Sequence, residues 1–306
     1  METILPALFR RVRFTTMERE RIDTPDGDFL DLDWARQNSN KLIIISHGLE
    51  GNSGKPYVRG MARAFYSVGY DILAWNYRGC SGEVNRKLRF YHSGATDDLA
   101  WVISQVAHHY EAVYLIGFSL GGNLTLKYLG EGNDLPTALK GGVAISVPLD
   151  LHSSCQQISQ PGNRVYANRF LRNLKKKVRQ KARLMPELPT NGLEKIANLI
   201  DFDNRYTAPI HGFNDAIDYY TQCSAIHYLN NITIPTLILN AQNDPFLSDK
   251  CYPVDMLADH RHVRLEAPDF GGHVGFSQFN NNGLFWSEQR AVDFINDIKA
   301  REPAIS

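Results

Sequence analysis

Gly117-Phe118-Ser119-Leu120-Gly121 sets a serine between two glycines, each two residues away. The run before it, Val113 to Gly117, suits a buried strand, and Asn123 to Glu131 after it suits a helix. A serine at such a strand-to-helix corner sits in a strained turn that lifts its hydroxyl into the open, so its neighbours must be small. The five residues alone also fit an ordinary turn. A hydroxyl is a poor nucleophile at neutral pH; it needs a neutral imidazole to take its proton and a carboxylate to orient that imidazole. Two later loops offer them. Asp244, in Ala241-Gln242-Asn243-Asp244-Pro245, directly follows the apolar run Thr236 to Asn240, and His273 follows Gly271-Gly272 in the loop after Val263 to Glu266. The predicted catalytic set is therefore Ser119, His273 and Asp244. Asp244 before Pro245 also suits a plain turn or a helix cap. Asp150, just past the run ending at Val147, is the alternative acid.

Acyl transfer also builds negative charge on a carbonyl oxygen, and each prearranged N–H donor lowers that barrier by about 3 kcal/mol. The backbone N–H of Leu120, next to the serine, is one expected donor. The second is Leu49, in the glycine-rich turn His47-Gly48-Leu49-Glu50-Gly51. His47 itself reads as a structural hydrogen-bonder. This chemistry requires no metal and no organic cofactor, and Cys80, Cys155, Cys223 and Cys251 lack both C-x-x-C pairing and zinc-ligand spacing. They read as free structural thiols.

The elements that must hold these residues follow from periodicity. Val12 to Ile22 and Phe29 to Trp34 flank Thr24-Pro25-Asp26-Gly27-Asp28, which predicts an antiparallel hairpin. Beyond it, short apolar runs at Leu42 to Ser46, Asp71 to Asn76, Val113 to Gly117, Gly142 to Val147, Thr236 to Asn240 and Val263 to Glu266 alternate with helix-length segments. Those segments are Val58 to Val68, Asp97 to His108, Asn123 to Glu131 and Trp286 to Ala300. Strands that are apolar throughout and separated by helices predict a mostly parallel sheet covered on both faces. The rhythm stops between Leu149 and Asn231. There Arg164 to Arg183 carries nine Lys or Arg and no acid, with apolar residues at helical spacing from Ala167 to Met185. The division expected is an α/β core, 1–148 and 232–306, interrupted by a helical cap, 149–231.

Composition narrows the function classes. The 306 residues carry 33 Lys and Arg against 33 Asp and Glu, so the whole-chain basic excess of a nucleic-acid binder is missing. Apolar runs fall well short of the roughly 20 residues that span a bilayer. Arg10, Arg11 and Arg13 follow the apolar start rather than precede it, the wrong order for a signal peptide. A cytoplasmic location is expected.

The blocks His47-Gly48-Leu49-Glu50-Gly51, Trp75-Asn76-Tyr77-Arg78-Gly79-Cys80-Ser81-Gly82, Tyr91-His92-Ser93-Gly94 with Asp97-Asp98-Leu99, and Gly117 to Asn123 with Lys127 to Glu131 resemble the YheT-like branch of the α/β-hydrolase superfamily. In that fold the triad runs nucleophile, acid, base along the chain, the order of Ser119, Asp244 and His273. The resemblance implies a serine carboxylic-ester hydrolase acting on small-molecule esters of short- to medium-chain acyl groups. It equally implies an acyltransferase to an alcohol with the same triad. A catalytically inactive hydrolase-fold binding protein is the remaining alternative, since fold alone never fixes function. Relatives in mammals have an amino-terminal membrane anchor, which Met1 to Arg13 does not suggest. The basic cap stretch suggests either a solvated face or weak contact with a membrane surface. Oligomeric state is not encoded in any of these signals.

Overall fold

Eight strands form one sheet in the order β1-β2-β4-β3-β5-β6-β7-β8. They are β1 (Glu18–Asp23), β2 (Phe29–Ala35), β3 (Lys41–Ser46), β4 (Asp71–Asn76), β5 (Ala112–Phe118), β6 (Leu139–Ile145), β7 (Thr236–Leu239) and β8 (Val263–Glu266). The computed structural model describes residues 10–14, 16–278 and 283–301. Strands β3 to β8 pair in parallel, while β1 and β2 are antiparallel additions at one edge. This is an α/β-hydrolase fold.

Strand β3 shows why both faces must be covered. Leu42 and Ile44 face one apolar cluster, Ile43 and Ile45 the other, and all four are buried. Alternation along a strand sends neighbours to opposite faces, so an unbroken aliphatic run needs helices on both. Helices α2 (Thr96–Val106) and α3 (Leu120–Gly130) cover the first face through Leu99, Val102, Leu124 and Tyr128. The second is covered by α1 (Pro56–Tyr66), through Val58, Met61 and Phe65, and by α7 (Trp286–Arg301), through Ala291 and Ile295. Strand β1 is mostly exposed; Arg19 and Arg21 pair with the buried Asp33 and Asp31, their register partners on β2. A charged edge strand resists pairing with another chain.

The expected hairpin exists, but its first strand starts at Glu18 rather than at Val12. Arg10 is held elsewhere, with two hydrogen bonds to Glu288 at the start of α7 and its guanidinium 3.5 Å from the Phe285 ring centroid. Strand β6 also differs, starting at Leu139 and ending at Ile145 instead of running from Gly142 to Val147. Ser146 has φ +54°, which turns the chain out of the sheet.

Between β6 and β7 lie α4 (Leu151–Ile158), α5 (Arg164–Ala182), α6 (Ala216–Cys223) and short helical turns, around an apolar cluster of their own that includes Leu171, Val178, Phe202 and Tyr220. The buried Asn123 of α3 ties this segment to the sheet: its amide donates to Cys223 O at 2.8 Å and its carbonyl accepts Ala225 N–H at 2.8 Å. The nine cations of the basic stretch do not share one solvated face. Lys177 and Lys181 turn inward, the latter donating to the carbonyls of Lys87, Leu88 and Arg89. All four cysteines are buried and free. Among the described residues no helix is long and apolar enough to cross a membrane.

Candidate active site

Parallel register brings the loops of the site to one edge. Ser46 lies opposite Gly117, Phe118 opposite Ile145, Ile145 opposite Leu239, and Leu239 opposite Glu266. The segments leaving β3, β5, β7 and β8 therefore emerge side by side, as ligand-binding loops do in open parallel sheets.

Ser119 occupies the one-residue corner between β5 and α3, at φ +54° and ψ −118°. A non-glycine residue held there stores about 1–3 kcal/mol of strain. Hydrogen bonds hold the corner: Ser119 N–H donates to Ile145 O at 2.8 Å and Asn123 N–H to Ser119 O at 3.0 Å. The flanking glycines are required by close approach. A Cβ on Gly117 would collide with the backbone of Gly121, and one on Gly121 with the carbonyl oxygens of Ser46 and His47.

Asp244 is buried in the turn after β7. Its Oδ1 accepts the Phe246 N–H at 2.9 Å, leaving Oδ2 directed at His273 Nδ1, 2.8 Å away. The turn thus aims the Asp244 carboxylate at the imidazole. His273 is fixed by its neighbours: Gly272 N–H donates to Asn243 Oδ1 at 2.8 Å, and Val274 N–H to Ser146 Oγ at 2.9 Å. The Phe246 ring lies 4.5 Å from the imidazole, centroid to centroid. An ionised carboxylate only accepts, which assigns the proton to Nδ1 and leaves Nε2 to accept from Ser119. That contact, Nε2 to Oγ, is 3.0 Å.

The His47 loop stands against the serine, where a Cβ on Gly48 would lie 3.3 Å from Ser119 Cβ. Three of its N–H groups are engaged: Gly48 by Tyr57 Oη at 3.0 Å, Glu50 by Tyr91 Oη at 2.8 Å and Gly51 by Gly48 O at 2.9 Å. Among the described residues the Leu49 and Leu120 N–H groups have no acceptor, and both residues line a cavity that reaches Ser119. His47 is structural. Its Nδ1 donates to Gly48 O, its Nε2 accepts Tyr77 N–H, and burial pushes its pKa down to about 3. Asp150, the alternative acid, instead caps α4, accepting Ser153 N–H at 2.8 Å.

Several supporting residues escaped sequence reasoning. Ser146 sits in an unmarked position after β6, Tyr57 belongs to no motif, Tyr91 stands in a motif block that gives no hint of its role, and Lys177 is hidden within a basic run. Lys177 Nζ lies 2.7 Å from Glu50 Oε1, joining α5 to the His47 loop.

Residues 41–278 match the family described as alpha/beta hydrolase fold. The chain is 39% identical to YheT of Escherichia coli (strain K12), a protein named as an esterase, over 96% of this chain and 89% of that one. It belongs to the α/β-hydrolase family, in its YheT-like branch. This α/β hydrolase is also 30% identical to a monoacylglycerol lipase of Saccharomyces cerevisiae, over 89% of this chain and 62% of that one. It is 28% identical to phospholipase ABHD3 of Bos taurus, over 90% and 70%. Among solved structures, the esterase Pf2001 of Pyrococcus furiosus superposes with a TM-score of 0.58 at 18% identity, covering 92% of both chains. At that identity the likeness concerns the fold of the hydrolase alone.

Proposed function

We propose that this hydrolase cleaves carboxylic esters through an acyl-enzyme on Ser119. His273 Nε2 takes the serine proton as Oγ attacks the acyl carbonyl, and Asp244 stabilises the imidazolium that forms. The N–H groups of Leu49 and Leu120 hold the oxyanion. His273 then protonates the departing alcohol oxygen and activates water for deacylation. Transfer to an alcohol uses the same atoms, with the alcohol replacing water in the second half. The observation that carries the reading is the continuous chain from Asp244 Oδ2 through His273 to Ser119 Oγ, at 2.8 Å and 3.0 Å. The esterase and lipase names of its relatives agree with it.

Residues 149–231 act as a cap. A cavity reaching Ser119 is walled by Leu151, Ile158, Leu174, Leu199 and Phe202 of this segment, chemistry that suits an acyl chain of short to medium length. The substrates are soluble small-molecule esters, met in the cytoplasm. A fluorophosphonate probe tests the nucleophile, and p-nitrophenyl esters of graded chain length test the pocket. Labelling and turnover are expected for the intact protein and not for Ser119→Ala. A folded protein that neither labels nor turns over any ester would be a binding scaffold instead.

A further inference from the structure

Two cavities meet at Ser119, and they differ in the catalytic groups that line them. Ser119 and Leu49 line both, but among the described residues Leu120 lines only the first and His273 only the second. Proton transfer makes that difference directional. The departing alcohol oxygen must receive its proton from His273 Nε2, so the alcohol portion of the ester lies on the His273 side while the acyl chain extends into the other cavity.

The charge lining the His273 side is one-sided. Among the described residues its cations are Arg10, Lys55 and Arg169, and its only carboxylate is Glu50. Glu50 is already paired with Lys177, and Arg10 with Glu288. Lys55 and Arg169 make no ion pair among the described residues. They face the cavity from two sides, Lys55 from the residue before α1 and Arg169 from α5, with Asn173 one helical turn beyond Arg169. A pair of uncompensated cations beside an alcohol-binding cavity favours an anion there, and a guanidinium with a neighbouring amide suits the oxygens of a phosphate or carboxylate.

We infer that the cavity bounded by His273, Lys55 and Arg169 binds the alcohol portion of the substrate, and that this alcohol carries a phosphate or carboxylate group. The inference rests on the ester-hydrolase reading and names the substrate class of the same site.

Three soluble butyrate esters that share an acyl group and differ in alcohol charge provide the test: butyryl glycerol 3-phosphate, monobutyrin and butyrylcholine. The expected order of kcat/KM is anionic, then neutral, then cationic, with about a tenfold advantage of the anionic over the neutral ester at low ionic strength. That ratio should shrink as salt shortens the screening length to about 10 Å at 0.1 M. In Lys55→Ala/Arg169→Ala the ratio should approach one. A ratio near one in the unaltered enzyme overturns the inference, as does a preference that survives the double substitution. So does a preference seen only for long-chain esters in anionic vesicles, which would put the cations at a membrane surface. If p-nitrophenyl butyrate is turned over and none of the three esters is, the alcohol assignment fails while the hydrolase stands. If no ester at all is cleaved, the hydrolase reading itself fails.

Discussion

Lys177→Met removes the ammonium that reaches from α5 to the His47 loop while keeping most of the side-chain stem. Lys177 and Glu50 are 12% and 9% exposed, and their charged atoms are 2.7 Å apart. Burial by itself lowers the pKa of the Lys177 ammonium; Cys80 and Glu50 more than reverse that, so it stands above the usual lysine value. Burial pushes the Cys80 thiol up, and the Glu50 carboxylate, 2.7 Å from the ammonium, is the partner in the ion pair. The Glu50 backbone is held by the same group of residues, since Tyr91 Oη accepts its N–H at 2.8 Å and donates to its carboxylate at 2.7 Å. Removing one partner of a buried pair costs about 3–5 kcal/mol, and slight exposure points to the lower end, about 3 kcal/mol. Glu50 adjoins Leu49, so a loosened loop also misplaces a proposed oxyanion donor. Losing such a donor outright costs about 100- to 1,000-fold in kcat, so a donor kept but loosened should cost about 10- to 100-fold. Urea unfolding and p-nitrophenyl acetate kinetics read the two effects, with kcat expected to fall much more than KM rises. Adding Glu50→Gln to Lys177→Met should recover most of the stability, because no buried charge is left unpaired. A single variant with unchanged kcat and unfolding midpoint would refute the clamp.

Asp244→Asn should lower kcat by about 10,000-fold in steady-state ester assays, since an amide cannot hold His273 in the required tautomer. Its melting temperature should change little, because Oδ1 still accepts the Phe246 N–H. Gly121→Ala drives a methyl into the Ser46 and His47 carbonyls. It should cost about 1–3 kcal/mol by denaturant unfolding and disable the corner holding Ser119. Arg78 is buried against Asp28 and Asp98 and also pairs with Asp26. Despite burial, hydrogen bonds from Thr24 and Arg78 hold Asp26 down to about 2, and Asp28 is likewise lowered, with Asn85, Arg86 and Arg78 opposing its burial. A depressed carboxylate stabilises the fold fully above its unfolded pKa, near 4, and that contribution is lost as pH falls through about 2. Arg78→Met should therefore destabilise strongly at pH 7, and the gap in melting temperature from the unaltered protein should narrow between pH 4 and 2. A constant gap would refute the assignment.

Much of this was legible because it depends on local sterics or on simple periods. Unbroken aliphatic runs such as Leu42 to Ile45 require cover on both faces, and glycines two residues either side of Ser119 announce the crowded corner. Thr24 to Asp28 announces a tight turn, and Gly27 adopts φ +78° there. Where β1 begins was not legible, because a contact with Glu288, 278 residues away, draws Arg10 off the strand path. The sign of each charge in Arg164 to Arg183 was plain, but its destination was not. Helical spacing marked an apolar stripe, yet Lys177 finds a carboxylate and Lys181 three carbonyl groups that lie about a hundred residues away in the chain.

Taken alone, the order of residues determined the layered α/β architecture and the residue types gathered at its loops, because alternation, turn chemistry and close backbone approach act over a few neighbours. Tertiary structure decided the rest. It set Asp244 rather than Asp150 against the imidazole and divided the space around Ser119 into two cavities of different charge. Those outcomes depend on strand register and on how α5 lies across the sheet edge, and register is set by packing between segments far apart in the chain.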